Sequence, residues 1–179
     1  IHRVVLNTFW NPEKPEMLGN APNAVAPAMK AEIPAVEETG RWLRHEFGQS
    51  AFVVAGDKKV VETKLFWADP SLVDIFDIPS VEGDLRAALS QPNCVALSRS
   101  TARRYFGTSS AVGQIVKIDR MQPLEVKAVF EDFPAASSLE PNVLGSFQSI
   151  QWANNRLTWS NASFETWVLL RPDADRSQV

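Results

Sequence analysis

Prolines and glycines cut this chain into pieces too short for a long helix or a membrane span. Twelve prolines and eight glycines are spread through 179 residues. Proline lacks a backbone N–H and clashes with the preceding turn, and glycine is a residue on which helices end. No stretch approaches the roughly 18–20 consecutive apolar residues that cross a bilayer. The core must therefore be assembled from many short elements.

Residues 1–9 have the β-branched richness of a strand. A proline-bearing loop over 11–23 follows. Asn23 is placed to cap a short helix in which Val25, Ala28, Met29 and Ile33 recur at helical spacing, with Pro27 in the first turn and Pro34 as the stop. Residues 36–45 and 51–55 read as strands. Gly56-Asp57-Lys58 supplies a turn, and 59–67 reads as one return strand. Asp69-Pro70 predicts a helix start, Asp69 as N-cap and Pro70 at the first position, with Leu72, Val73, Ile75 and Phe76 on the apolar face and Pro79 as the stop. Gly83-Asp84-Leu85 begins a further helical turn through Leu89. A buried strand at 95–97 precedes a helix capped by Ser98 and closed by Gly107, with Ala102, Tyr105 and Phe106 on one face. Residues 114–119 and 124–130 are a predicted hairpin, 142–152 a predicted helix and 164–171 a last strand. Short helices among strands that do not alternate point to an α+β fold.

Composition narrows the function classes. Hydrophobic residues make up 45% and charged residues 22%, which excludes disorder as the overall state. At this length folding buries roughly 70% of the unfolded surface, so no disulfide or metal staple is required. The formal net charge is −3, and Arg99, Arg103 and Arg104 are the one tight basic group. They read as a solvated helix face, so a nucleic-acid partner is not expected. Cys94, the single cysteine, stands in the apolar run Cys94-Val95-Ala96-Leu97 and reads as a small buried hydrophobe. The chain opens on an apolar segment without Met or a leader-like stretch, and 173–179 reads as a helix start cut short. Both ends are thus expected to be the margins of a segment from a longer protein.

Catalysis needs a nucleophile, an acid/base or a metal held at specific spacing. His2 and His45 are the only histidines, and a single cysteine removes every Cys-rich zinc arrangement. Phosphate-loop, dinucleotide-binding and nucleophile-elbow motifs are missing, as is Ser-x-x-Lys. The best carboxylate group is Asp69, Asp74 and Asp77, conceivable for calcium or glycosidic chemistry. Asp69 is accounted for by capping, however, and no glycine-punctuated oxygen-ligand loop follows it. Glu37-Glu38 and Glu131-Asp132 read as solvent-exposed neighbours. Asn161-Ala162-Ser163 matches a glycosylation acceptor, which a bacterial origin would make irrelevant. Six tryptophans (Trp10, Trp42, Trp67, Trp152, Trp159, Trp167) are scattered evenly, as expected of core and interface residues rather than a stacking platform. The expectation is a non-enzyme with no catalytic, cofactor-binding or metal-ligating residue, and no cofactor.

A family resemblance runs through the middle of the chain. The segment Phe66-Trp67-Ala68-Asp69-Pro70-Ser71-Leu72-Val73-Asp74-Ile75-Phe76-Asp77 resembles part of the MacB-like periplasmic core domains of FtsX-type ABC-transporter permeases. Gly83-Asp84 with Ala88-Leu89 is similar to a step in that family. Residues 92–107, from Pro92-Asn93-Cys94 to Tyr105-Phe106-Gly107, resemble its strand–helix unit, and Val112-Gly113-Gln114 its next turn. Weaker likenesses lie at Ala28-Met29-Lys30, at Ile33-Pro34-Ala35-Val36-Glu37 with Arg41, at 126–134 with Ser137-Ser138, and at 164–170. Lys127-Ala128 departs from the family pattern, which has a small residue and glycine there. The shared motifs are caps, turns and core positions, and none carries a catalytic role.

The resemblance implies a two-lobed domain between two membrane helices of a permease, on the periplasmic side of the bacterial inner membrane. A membrane-proximal, porter-like α/β lobe would comprise 1–48 and 123–179, with a mixed α/β distal lobe inserted at 49–122. A separate cytoplasmic ATPase subunit would drive motion, passed through the domain to a periplasmic adaptor, lipoprotein or cell-wall hydrolase, or to cargo. The chain ends should then lie at one end of the fold. The alternatives are a module holding a small molecule, lipid or peptide between the lobes by the tryptophans, and a hydrolase using Asp69 to Asp77.

Overall fold

The computed structural model describes residues 1–8, 16–45, 49–150 and 157–175. Its centre is β9 (Cys94–Ser98), buried at every position. That explains why the run does not alternate: a strand covered on both faces needs apolar side chains on both. β9 lies parallel to β11 (Leu124–Phe130) and antiparallel to β12 (Val143–Ser146). β12 in turn runs parallel to β7 (Leu65–Ala68), which pairs antiparallel with β4 (Val36–Arg44). β13 (Glu165–Leu170) and then β1 (His2–Arg3) complete that side. On the other side of β11 come β10 (Ile115–Ile118), β5 (Ala51–Ala55) and β6 (Lys58–Glu62). β8 (Ser80–Gly83) pairs with β11 off this path, giving an eleven-stranded mixed sheet among the described residues. β2 (Leu6–Thr8) and β3 (Glu16–Leu18) form a separate ribbon.

Helices cover both faces. α2 (Leu72–Ile75) and α3 (Leu85–Leu89) share a core with Trp42, Phe66, Ala96, Ala128, Phe130 and Leu144. On the opposite face Leu43, Trp67, Val95, Leu97, Val126 and Val143 pack with Ala102 and Tyr105 of α4 (Arg99–Phe106). α1 (Val25–Glu32) lies on this second face, where the Thr39 hydroxyl donates to the Ala26 carbonyl. Adjacent residues such as Val95 and Ala96 thus enter different cores, as the two-residue period of a strand dictates. The architecture is mixed α/β, a large mixed sheet with few helices.

Several expected elements have the expected form. α4 starts at Ser98, whose Oγ accepts from the Thr101 amide at 3.3 Å, and ends at Gly107 with φ of 69°, where a side chain would be strained. Asp84 caps α3 through the Ala87 amide at 2.9 Å. β5 and β6 meet through the predicted Gly56-Asp57 turn, and β10 pairs antiparallel with β11.

Others are corrected. Residues 142–152 are not a helix: they give β12 and a 3-10 turn, Phe147–Ser149, while Gln151 and Trp152 lie outside the described residues. Gly145 sits directly against the Trp67 ring, so a strand with no side chain at that point lets β12 close on β7. The return strand at 59–67 is two strands. Glu62 turns the chain by accepting from the Lys64 amide at 3.0 Å, and the wholly buried Leu65-Phe66-Trp67-Ala68 joins β4 and β12 instead. Asp69 does not cap α2, and Asn23 does not cap α1; neither helix has a side-chain cap. Both residues are taken by Arg41. The opening strand is broken between β1 and β2, and part of the expected loop at 11–23 is β3.

Candidate functional site

The three predicted carboxylates do not converge. Asp69 is half-buried and held by Arg41, Asp74 pairs with Arg86, and Asp77 closes α2 in the left-handed region with φ of 49°. Among the described residues no group of three or more metal-ligating side chains is assembled. Cys94 is buried, and that burial pushes its thiol pKa up. It packs as a small hydrophobe, with the neutral thiol favoured. Trp42 and Trp67 are core residues, Trp167 packs edge-on against Phe76, and Trp159 is exposed. Trp10 lies outside the described residues.

The structure instead brings together three polar clusters, each tying distant segments. In the first, Arg41 of β4 grips both Asp69 oxygens, Nε to Oδ2 at 2.6 Å and Nη2 to Oδ1 at 2.9 Å. Its Nη1 donates to the Asn23 carbonyl at 3.1 Å and to the Asn23 side chain, and its guanidinium lies 4.6 Å from the centre of the Phe147 ring. A bidentate arginine fixes geometry as well as charge. This one joins β4, the start of α1, the β7–α2 corner and the segment after β12.

The second cluster surrounds Glu62, whose carboxylate is buried at the end of β6. Oε1 accepts from the Lys64 amide and from Asn142 Nδ2 at 2.8 Å; Oε2 accepts from the Tyr105 hydroxyl at 3.2 Å and from Arg104. A buried carboxylate is tolerable when its lone pairs are filled this way. Burial, then the Glu62 charge, push the Tyr105 phenol up to about 12. Arg104 is therefore not simply part of a solvated face.

The third cluster is His45, at the end of β4. Trp67 Nε1–H donates to His45 Nδ1 at 3.1 Å, so Nδ1 carries no proton and Nε2–H donates to Asp119 Oδ2 at 2.7 Å. Asp119 Oδ1 also accepts from the Phe52 amide at 2.8 Å. This chain links β4, β7, β10 and β5. It ties together strands that are distant in the sequence.

Glu131 and Asp132 are engaged too. Arg99 Nη2 donates to Glu131 Oε1 at 2.5 Å, and the Ser100 hydroxyl to Asp132 Oδ1 at 2.7 Å. Desolvation works to raise the Asp132 pKa. Hydrogen bonds from the Ser100 and Ser98 hydroxyls and the Ser100 amide, with the charge of Arg99, outweigh it, and the carboxyl is lowered. Apart from the Lys64 amide, the hydrogen-bond partners of Arg41 and Glu62 lie 18 to 80 residues away, which is why motif spacing gave no sign of them.

A family model, the MacB-like periplasmic core domain, matches residues 4–179. The chain belongs to this family. No curated protein matches the sequence. Among solved structures, the MacB-like domain is similar to a domain of a putative permease from Porphyromonas gingivalis, at 26% identity and a TM-score of 0.77, covering 92% of this chain and 69% of that one. It is also similar to the periplasmic region of MacB from Actinobacillus actinomycetemcomitans, with 15% identity, a TM-score of 0.70, and 97% and 76% of the two chains covered. The extracellular domain of the noncanonic ABC-type transporter YknZ from Gram-positive bacteria has 16% identity and a TM-score of 0.63 over 87% and 75%.

The MacB-like domain is thus a periplasmic domain of an ABC-transporter permease, a membrane-embedded system with a cytoplasmic ATPase. The similar structures are transporter and permease domains. No helix among the described residues is long and apolar enough to cross a membrane.

Proposed function

We propose that the domain is a non-catalytic transmission element, passing ATP-driven motion from the membrane to a periplasmic partner or cargo in export or envelope maintenance. The observation that carries this reading is the pairing of β1 with β13. His2 stands opposite Val168 and Arg3 opposite Trp167, antiparallel, so the chain enters beside the point where β13 ends. Two membrane segments attached there would pull on one end of a single sheet. Arg3 and Arg44 both reach the buried Glu165 carboxylate, at 3.7 and 3.1 Å, and clamp β1 and β4 to the start of β13. Motion delivered to β1 and β13 would travel through β4 and β7, where the Arg41 and His45 clusters stiffen the connections.

The proposed division assigns 1–48 and 123–179 to a porter-like lobe and 49–122 to the inserted distal lobe. The inserted segment supplies β7 and β9 to the common sheet, so the lobes would move as parts of one lever. A ligand held between tryptophans draws no support from Trp42 and Trp67, which are sealed in cores.

The test uses the intact permease with its ATPase in lipid nanodiscs. A fluorescent donor is placed at the exposed Val61 on β6 and an acceptor on the lipid headgroups. Nucleotide binding should change energy transfer, and Arg41→Ala should reduce that change while ATP hydrolysis stays within about twofold. An active ATPase with no nucleotide-dependent change in transfer would overturn the reading.

A further inference from the structure

His45 is a buried histidine with both ring nitrogens engaged, and only its neutral form satisfies both partners. The residue is 5% exposed, and Trp67, whose indole donates to Nδ1 at 3.1 Å, is 2% exposed. An indole N–H can only donate, so Nδ1 has to stay an unprotonated acceptor. Nε2–H meets Asp119 Oδ2 at 2.7 Å.

Few charges surround this ring. Asp119, from the end of β10, is the charged group in contact with it among the described residues. Its carboxylate is fixed toward the imidazole. Asp119 takes a φ of 48°, held by the Phe52 amide on Oδ1 and by its own amide on the Phe52 carbonyl, both at 2.8 Å. Residues other than glycine seldom adopt that conformation. From β7 the ring meets the uncharged Trp67, and from β5 the Phe52 backbone stands behind Asp119. Arg44, the preceding residue, is engaged by Glu165 and lies over Phe66 in the other core.

Histidine is the side chain that ordinarily changes charge between about pH 5 and pH 8. A second proton on this ring has one place to go, Nδ1, the atom that holds Trp67. Two N–H donors would then face each other in a buried place, and the indole would lose its acceptor. Asp119 would keep its bond and gain an ion pair, so the new charge is not stranded. Protonation thus removes one of the two bonds and strengthens the other.

We propose that His45 is a proton-sensitive joint: the neutral ring ties β7 to the ends of β4 and β10, and the protonated ring releases β7 while holding β10. The released side chain is the one that lies directly against Gly145 of β12, so the loosening reaches the contact between β7 and β12. The claim concerns this chain alone and holds whether or not the domain transmits motion. Its test needs neither membrane nor ATP, so the two can fail separately.

The experiment follows the imidazole nitrogens and the indole N–H signals of the isotopically labelled 179-residue chain by NMR, from about pH 8 to about pH 5. At the upper end His45 should be the Nε2–H tautomer. As it protonates, the Trp67 indole signal should move with the same midpoint. Protection of that N–H against exchange, corrected for the pH dependence of exchange itself, should fall about tenfold. The exposed His2 is an internal control, since its titration should leave the Trp67 signal unmoved. His45→Asn keeps an acceptor near the position of Nδ1 but takes up no proton, and should hold the Trp67 signal constant with pH. Should that variant not fold, the wild-type titration decides alone. An Nδ1–H tautomer at the upper end, a Trp67 signal that stays still while His45 titrates, a His45 ring that does not titrate in the folded chain, or the same pH-dependent movement in His45→Asn would each overturn the proposal.

Discussion

At the scale of the residue, the most informative group is the buried pair Glu62 and Tyr105. Tyr105 is the only tyrosine, so phenolate absorbance reports it alone. Its ordinary value is 10.0 and its folded value about 12. Folding favours the protonated phenol, so this contribution to stability is complete below pH 10 and lost as pH rises between 10 and 12. A spectrophotometric titration should show no phenolate at pH 10.5 in the folded chain; substantial ionisation there, with the fold intact by circular dichroism, would refute the burial argument. Glu62→Ala removes the acceptor shared by four donors and should cost about 3 kcal/mol in chemical denaturation. A loss under about 1 kcal/mol would mean that water replaces the carboxylate easily.

At the scale of the element, α4 and β12 show opposite relations to the sequence. Ser98 at the start of α4 is a local signal, and the helix forms where that signal stands. Asp132, on another segment, completes the cap through the Ser100 amide and hydroxyl. Its lowered pKa fixes the sign: the contribution is present above the ordinary value of 3.8 and is lost as pH falls through the folded value. Asp132→Asn should therefore cost up to about 1 kcal/mol at neutral pH. The difference from wild type should vanish in acid, and a constant gap from pH 7 to pH 2 would reject the assignment. β12 is decided by contact instead. Gly145→Ala would drive a methyl into the Trp67 ring and should destabilise by about 1–3 kcal/mol. Gly107→Ala meets open space but a positive φ, and should cost about 1 kcal/mol. Denaturant midpoints rank the two directly.

For the whole molecule, the order of strands predicts the order of opening. β9, β11 and β12 lie inside the sheet and feed both cores, while β1 and β6 are its edges. Native-state hydrogen exchange should find the slowest amides in β9, β11 and β12, with β1 and β6 exchanging through smaller openings. If β5 and β6 were as protected as β9, the sheet would unfold as one unit, and any distal motion of 49–122 would have to be rigid.

Much of this was written locally. The helix at 99–106 with Ser98 and Gly107, the Gly56-Asp57 turn, and the short buried strand at 95–97 all follow from residues within a few positions of one another. The absence of catalytic spacing was legible for the same reason, since motifs of that kind are sequence patterns. Residues 142–150 misled because apolar spacing over so short a stretch suits a helix or a buried strand. Only the space between β7 and β9, and the Trp67 ring against Gly145, chose the strand. Asp69 and Asn23 likewise have good capping chemistry, yet a charged bidentate bond to Arg41 outcompeted it once β4 and β7 were paired. The sequence by itself determined that the chain builds its core from short helices and strands and contains none of the familiar catalytic motifs. The tertiary structure decided which polar side chains brace which strands, because those partners meet only after the sheet has closed the distance between them.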